Sequence, residues 1–375
     1  MPPTPKAQDW QPILDHLTGS LGAIRELQNY LSLGAAAVSA PVPVVPIHDT
    51  LVQYWLGKMG PFSQTILRPL APNVNWIDKP TGKSFGSSDY DKTIAGAWQV
   101  AFPDFREDIV NTIGNEDFLV VESKSSGTQS GPLRVAGTVI PATGAKVTIN
   151  SAAVVKLKAG QAIQIECYYD IAGLLRALKL IPDMPMGHDE TGPTMPAILH
   201  ASGFQGTKAT VAPGRPWPPR IGTPTAMGHG NSPAAKANAE GCKAIHQAFI
   251  EHKSDQFANL IAQDSVWIDV PTGQVLNGAA AAATHDQGNW MKAFPDSSAQ
   301  VLNLIANEDW CVVQHRGFGK HLGPLTLGGK VFPPTGKSME MQVLDINQYK
   351  SGKVVLIRNY YDMAMMMMQL GLMPG

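Results

Sequence analysis

The same stretch of sequence occurs twice in this chain. Residues 102–182 and 294–374 align without a gap at one constant offset (294 − 102 = 192). A period near 190 residues is far longer than the roughly 20–50 residues of a solenoid unit. Each copy is therefore expected to be a complete domain with its own core. The repeated landmarks include Phe102-Pro103-Asp104 with Phe294-Pro295-Asp296, Asn115-Glu116-Asp117 with Asn307-Glu308-Asp309, and Tyr168-Tyr169-Asp170 with Tyr360-Tyr361-Asp362.

The composition indicates a globular protein and excludes several kinds of partner. Of 375 residues, 44% are hydrophobic and 16% are charged, which is a globular balance. The net charge is −1 and Lys and Arg form no run, so neither nucleic acid nor a membrane is expected as a partner. Three unclustered cysteines predict neither a disulfide framework nor a zinc site. With no signal peptide and no long apolar run, we expect a cytoplasmic protein.

Pro and Gly content divides the chain into four parts. Residues 1–48 have helix-like apolar spacing followed by a Pro-rich tether, and are expected to form an N-terminal extension. Residues 49–182 and 234–375 are the two repeat units. Between them, residues 183–233 are crowded with Pro and Gly, which predicts an irregular linker.

Within each unit, helical periodicity comes first and strand periodicity follows. In the second unit we expect helices from Ser232 to Ile250 and around 256–262 and 279–294, with a short strand at 266–269 between them. Four strands should follow, at 299–306, 310–318, 338–349 and 354–361. Because the connections have hairpin length, this order predicts an α+β fold with an antiparallel sheet.

The last strand of each unit carries a polar face. Side chains alternate across a strand, so Arg358, Tyr360 and Asp362 share one face and Ile357 and Tyr361 share the other. A polar face is ordinarily the solvated side of a sheet. The alternative is a polar lining inside a pocket, since the final aspartate and the tyrosine two residues before it are present in both copies.

The ordered set of motifs resembles the SnoaL-like polyketide cyclase family. The set runs from Phe-Pro-Asp through Asn-Glu-Asp, Gly-Pro-Leu and Pro-x-Thr-Gly to Tyr-Tyr-Asp before an apolar helix, and covers roughly residues 50–182 and 235–374. The resemblance implies two tandem cone-shaped domains of the nuclear transport factor 2-like fold, in which a curved antiparallel sheet wraps helices around a deep pocket. It also implies cofactor-free and metal-free acid/base chemistry by an aspartate, which by position is Asp362 or Asp170.

The chemistry expected from this resemblance is proton abstraction beside a carbonyl group of a small hydrophobic metabolite, as in a cyclase, lyase or isomerase. Burial in an apolar pocket lifts a carboxyl pKa toward neutrality, and hydrogen-bond donors stabilise the enolate. A hydrolase or dehydratase on the same scaffold, and a non-catalytic binding or assembly protein, remain open alternatives. The candidates for catalysis are Asp362, His321 and Asp170, and those for substrate binding are Tyr360, Arg358, Trp267, Asp269, Trp290, Tyr168, Trp76 and Asp78.

Differences between the copies favour the second unit as the catalyst. It has His321 where the first unit has Gln129, and the family commonly places a histidine in this hairpin. The histidines expected in the third strand of a cyclase are absent, and Asp345 stands near that place. His246 and His252, six residues apart on a predicted helix, do not share a face well enough to bind a metal.

The two units are also expected to contact each other. Proteins of this fold often dimerise through the sheet, and a fused duplicate can make that contact within one chain. Glu166 and Arg358 occupy equivalent positions with opposite charge. We therefore predict an intramolecular pseudo-twofold dimer, with a homo-oligomer as a further possibility.

Overall fold

The computed structural model describes residues 70–80, 82–86, 96–135, 138–159, 161–181, 226–285, 289–327 and 330–372. The predicted N-terminal extension and most of the predicted linker lie outside these residues. In the part of the chain that is described, no helix is long and apolar enough to cross a membrane.

The described residues of the first domain form eight strands and two short helices, and the end of the predicted linker adds a ninth strand. The elements are β1 (Leu70–Asp78), β2 (Lys83–Gly86), α1 (Gly96–Ala101), β3 (Arg106–Gly114), β4 (Phe118–Thr128), β5 (Leu133–Val135), β6 (Thr138–Ile140), β7 (Lys146–Lys158), β8 (Gln161–Tyr169), α2 (Ile171–Ala177) and β9 (Ala226–Met227).

The described residues of the second domain show the same order of strands, and helices precede the first of them. Its elements are α3 (Pro233–Ile250), α4 (Ser254–Leu260), β10 (Ile261–Asp269), β11 (Gln274–Asn277), α5 (Ala279–His285), α6 (Met291–Ala293), β12 (Ser298–Ala306), β13 (Trp310–Lys320), β14 (Leu325–Leu327), β15 (Lys330–Phe332), β16 (Ser338–Lys350), β17 (Lys353–Tyr360) and α7 (Met363–Leu370). The strand predictions at 299–306, 310–318, 338–349 and 354–361 agree with the structure to within about two residues at each end.

The sheets are mixed, which corrects the prediction of purely antiparallel sheets. The orders are β2-β1-β8-β7-β4-β3-β9 and β11-β10-β17-β16-β13-β12. The first long strand of each domain pairs in parallel with the last, β1 with β8 and β10 with β17. The short connections between successive strands carry no information on this parallel pairing. The two paired strands are far apart in the sequence, with most of the domain between them. The α+β class stands, and it matches two tandem nuclear transport factor 2-like domains.

Three helices cover one face of the second sheet. Ser232 caps α3 by accepting a hydrogen bond from the Ala235 amide at 3.2 Å, and Pro233 occupies the first turn, where its missing N–H costs nothing. Cys242 and Ile245 of α3 pack with Phe257 of α4 against the sheet. The helix predicted around 256–262 ends earlier, at Leu260, because residues from 261 onward belong to β10.

The other face of each sheet packs against the other domain. One buried apolar cluster combines Val120 and Val154 of the first domain with Val312 and Ile346 of the second. Loops of the two domains make a reciprocal contact. The side-chain amide of Asn115 donates to the Ala306 carbonyl oxygen at 3.0 Å, and the side-chain amide of Asn307 donates to the Gly114 carbonyl oxygen at 3.1 Å. The second sheet is therefore covered on both faces, by helices of its own domain on one side and by the first domain on the other.

Candidate functional site

The second domain encloses a cavity of about 160 Å³ between its helices and the inner face of its sheet. Most of the lining is apolar, and Phe249, Phe257, Leu276, Phe318 and Met341 contribute to it. A small set of polar side chains interrupts this apolar wall. An apolar cavity with a few convergent polar groups is the usual form of a small-molecule site. The polar members are His246, Asp269, His285, Ser298, His315, Asp345, Asn347, Asn359 and Tyr361.

Two histidines converge on one carboxylate at this wall. Asp345 lies in the middle of β16, His315 on the neighbouring β13, and His246 on α3 above them. Asp345 Oδ2 is 2.9 Å from His315 Nε2 and 3.2 Å from His246 Nε2. Asn359 Nδ2 donates to the other oxygen of the same carboxylate. Three secondary-structure elements therefore build this His-Asp-His cluster, defined here as His246, Asp345 and His315.

Hydrogen bonds establish where the protons of the cluster lie. His246 Nδ1 is 3.0 Å from the Cys242 carbonyl oxygen, which only accepts, so Nδ1 carries a proton. His246 Nε2 must then carry a second proton to bond Asp345. Although burial opposes it, the hydrogen bond and the charge of Asp345 raise the pKa of His246. The two histidines hold the pKa of Asp345 well below its usual range despite burial. The cluster thus pairs a carboxylate with an imidazolium.

The same three side chains have the donor types of a divalent-metal site. Their ligand atoms all lie within 4.8 Å of one another. Two imidazoles and one carboxylate facing a cavity would suit a transition metal. Protons on His246 Nε2 and on His315 Nε2 satisfy both hydrogen bonds that Asp345 accepts from the two rings, so these contacts form without a metal.

A second carboxyl group faces the same cavity from β10. Asp269 Oδ2 accepts a hydrogen bond from the Tyr361 hydroxyl at 3.1 Å. Burial raises the pKa of Asp269 from 3.8 to about 6, although hydrogen bonds from Thr272 and Tyr361 oppose the rise. Asp269 is paired in register with Asn359, and Asn359 with Asp345. Two strand spacings of about 4.8 Å place the backbones of the two aspartates roughly 10 Å apart.

Several polar atoms of the lining have no hydrogen-bond partner among the described residues. They are Trp267 Nε1, Asp269 Oδ1, His285 Nδ1, His315 Nδ1 and Asn359 Oδ1. A buried polar group without a partner costs free energy, so such groups are normally satisfied by a further protein group, by water or by a ligand. Five of them around one cavity give it the means to bind a polar group of a ligand.

The first domain lacks the cluster. By the repeat offset, Ser123 stands in place of His315 and Ala153 in place of Asp345. The Ser123 hydroxyl instead bonds the Ser151 hydroxyl at 2.8 Å, and Ala153 packs in a buried apolar cluster. The groups that form the cluster are therefore present in one copy of the duplication.

The aspartates predicted as catalytic, Asp362 and Asp170, are helix caps at the domain interface. Asp362 accepts hydrogen bonds from the amides of Ala364 and Met365 in its own helix, at 3.1 and 3.2 Å, and from the Ile171 amide of the other domain at 3.0 Å. Asp170 does the same, with the Met363 amide as its partner across the interface at 3.0 Å. Burial and the adjacent Asp170 raise the pKa of Asp362. Neither side chain lines the cavity described above, and their catalytic role stays a prediction.

The polar face of the last strand also lies between the domains. Arg358 forms a buried ion pair with Glu122 of the first domain, and the Tyr360 hydroxyl donates to the same carboxylate at 2.8 Å. The partner of Arg358 is thus Glu122 and not the equivalent Glu166. Tyr168 bonds Gln314 across the same interface at 2.9 Å. The alternation predicted along the strand is present, but the opposite face, with Ile357, Asn359 and Tyr361, lines the cavity.

His321 is a structural residue of a loop. Its side chain is fully buried, and its Nδ1 lies 3.2 Å from the Thr335 hydroxyl and 3.3 Å from the Thr335 amide. Gln129 holds Thr143 in the same way in the first domain, with distances of 2.6 and 3.2 Å. Since a glutamine and a histidine fill the same place, the shared task is to hold the Pro-x-Thr-Gly loop. His321 does not line the cavity.

Three of the predicted binding residues do line the cavity, namely Trp267, Asp269 and Trp290. Their equivalents Trp76 and Asp78 are buried in the first domain. His315 was not among the predicted site residues, and His246 was considered only as half of a metal pair with His252. One signal was available, because His315 and Asp345 are both replaced in the other copy, by Ser123 and Ala153.

A family model matches both repeat units, and several solved structures are similar to part of the chain. A family model described as SnoaL-like polyketide cyclase matches residues 64–178 and 242–370. Among curated proteins no match was found. A solved structure from Jannaschia sp. CCS1, named as SnoaL-like, is 21% identical over 39% of this chain and 100% of its own, with a TM-score of 0.35. IdmH from Streptomyces antibioticus is 23% identical over 36% and 98%, with a TM-score of 0.31. An LEH-like epoxide hydrolase from M. tuberculosis is 14% identical over 36% and 90%, with a TM-score of 0.28.

Proposed function

This chain belongs to the SnoaL-like polyketide cyclase family, and from that premise we propose that its second domain is a cofactor-independent acid/base enzyme of the cyclase, lyase or isomerase type. Its substrate is a small, largely apolar molecule with a carbonyl group, such as a polyketide. One observation carries the proposal: two carboxyl groups with opposite pKa shifts, Asp269 and Asp345, face one apolar cavity. Two carboxyl groups whose pKa values are shifted in opposite directions commonly take different roles in acid/base catalysis.

Asp269 is the proton acceptor in this proposal. A pKa of about 6 leaves the carboxylate ionised at neutral pH, yet poorly solvated and therefore a stronger base than an exposed aspartate. It takes the proton from the carbon beside the carbonyl group, the electron pair of that C–H bond forms a C=C bond, and the π pair of the C=O bond moves onto the oxygen. In an isomerase the proton returns at another carbon. In a cyclase the enolate carbon attacks a second carbonyl group of the same molecule.

The His-Asp-His cluster stabilises the negative charge that forms on the oxygen. His315 Nε2 is fixed by Asp345, and its Nδ1 has no partner among the described residues. In this proposal the ring is an imidazolium that donates Nε2–H to Asp345 and Nδ1–H to the enolate oxygen, and the Asp345 carboxylate balances its positive charge. Trp267 Nε1 is a second donor without a partner at the same wall.

A general-base probe tests the proposal before the substrate is known. A base removes the ring C–H proton of nitrobenzisoxazole. The N–O bond then breaks, the ring opens, and a coloured phenolate forms. We expect the full-length protein to accelerate this reaction, with a rate that rises through pH 6 and then levels off. Asp269→Asn should lower the rate about 100-fold or more. His315→Gln should lower the rate without moving the midpoint, because it removes a donor and not the base.

Two matched variants serve as controls. Asp264→Asn makes the same change at an exposed position of the same strand, and Asp78→Asn makes it at the equivalent position of the first domain. Both should retain the rate. If Asp269→Asn retains the rate, or Asp78→Asn loses it equally, the proposal is wrong. Probe binding with no acceleration over buffer would instead establish a non-catalytic binding protein.

A further inference from the structure

One side chain of the first domain reaches the turn that follows Asp269 in the second. Arg176, in the last turn of α2, is 11% exposed at its side chain. Its Nη2 donates to Asp170 Oδ2 at 3.1 Å and to the Pro271 carbonyl oxygen at 3.1 Å. Pro271 lies in the turn that joins β10 to β11, two residues after Asp269.

That turn holds Asp269 in place. The Gly273 amide donates to the Asp269 carbonyl oxygen at 2.8 Å, and Gly273 has a φ of +70°, which favours glycine. Thr272 supports the same turn, because its hydroxyl accepts a hydrogen bond from the Gln274 amide at 3.2 Å. Arg176 therefore fixes, from the other domain, the backbone that immediately follows the proposed base.

We infer that Arg176 of the first domain is a positioning residue for Asp269 of the second, so that the active site is complete only when both domains are docked. The inference rests on the proposed function of Asp269. The guanidinium holds the turn through Pro271 and neutralises Asp170, whose carboxylate acts on Asp269 through space.

The contact between Arg176 and the Pro271 carbonyl occurs beside the cavity of the second domain, and the reverse contact cannot form. At the position of Arg176 the second domain has Met368, which cannot make either hydrogen bond. The domain that lacks the His-Asp-His cluster thus contributes the arginine, and the domain that has the cluster receives it. This division of labour gives the fused partner domain a function without a catalytic cluster of its own.

The electrostatic setting predicts opposite effects for two variants. The groups that act on Asp269 are Tyr361 and Thr272 from its own domain and Asp170 from the other, and Arg176 is paired with Asp170. Arg176→Met leaves Asp170 with its three backbone N–H bonds and without its countercharge, so the titration midpoint of Asp269 should move to higher pH. Asp170→Asn removes that charge and should move the midpoint to lower pH.

The experiment measures this midpoint in the full-length protein in two ways. Carboxyl-carbon NMR, assigned by the signal missing in Asp269→Asn, reports the titration without any substrate. The pH profile of nitrobenzisoxazole opening reports it through the rate. Arg176→Lys keeps the charge and should restore the midpoint toward that of the parent, with a lower maximal rate because an ammonium group cannot reproduce the planar fork. Lys243→Met, an exposed change on α3, should alter neither quantity.

Opposite shifts in Arg176→Met and Asp170→Asn would support the inference, since a loss of folding cannot produce them. If both variants keep the parent's NMR midpoint while thermal melting shows them folded, the inference is wrong. Should Arg176→Met fail to fold, the Asp170→Asn shift alone decides, and no shift overturns the inference. A midpoint that moves in NMR while Asp269→Asn keeps the full probe rate would instead refute the proposed function and leave the contact intact.

Discussion

Replacing Asp269 by asparagine should make the protein more stable at neutral pH. The pKa of this carboxyl is raised from 3.8 to about 6, mainly by burial. The native state therefore binds the proton more tightly than the unfolded chain does, and native stability falls as the pH rises from about 4 to about 6. Each pKa unit corresponds to about 1.4 kcal/mol, so the ionised carboxylate costs up to about 3 kcal/mol above pH 6. An asparagine carries no charge and avoids this cost.

Urea unfolding at several pH values measures the effect. At pH 8 the unfolding free energy of Asp269→Asn should exceed that of the parent by up to about 3 kcal/mol. The difference should shrink toward zero at pH 4, where the parent carboxyl is protonated in the native state. Asp264→Asn should show the same small difference from the parent at both pH values. A difference for Asp269→Asn that does not change with pH, or a loss of stability at pH 8, would refute the reasoning. If Asp269→Asn gains stability and loses activity, Asp269 is a functional residue that lowers the stability of the native protein.

Three further predictions concern residues outside the cavity. Glu122→Gln should destabilise the protein by about 3–5 kcal/mol in urea unfolding, because it leaves Arg358 buried without its countercharge; a loss below about 1 kcal/mol would contradict a tightly enclosed pair. His321→Gln should be tolerated, as Gln129 is in the first domain, whereas His321→Ala should cost about 1–3 kcal/mol; a lower nitrobenzisoxazole rate in both would favour the catalytic role predicted from sequence. Asp362→Ala should lower the free energy of unfolding by about 0.5–2 kcal/mol through loss of the helix cap. Its pH–rate profile should still rise with a midpoint near pH 6, and loss of that rise would make Asp362 the base.

The predicted secondary structure came close because its signals are local. The alternation along Arg358, Asn359, Tyr360 and Tyr361 assigned these side chains correctly to two faces, and Ser232 with Pro233 marked the start of a helix. Which face borders the cavity could not be read from alternation, since both faces of β17 are buried. The second domain's helices cover one face of the strand and the first domain covers the other. Each face carries polar as well as apolar side chains, so polarity does not distinguish the two.

The amino-acid sequence by itself determined the duplication, the α+β class and the family resemblance, and the choice of the second domain as the catalyst stays a prediction. The tertiary structure decided that the final aspartates cap helices across the interface, and that His246, His315 and Asp345 meet. Helix α3 and strands β13 and β16 each supply one of these side chains, and strand pairing and helix packing bring them together. Such contacts depend on distances between segments remote in the chain, which periodicity along a single segment does not contain.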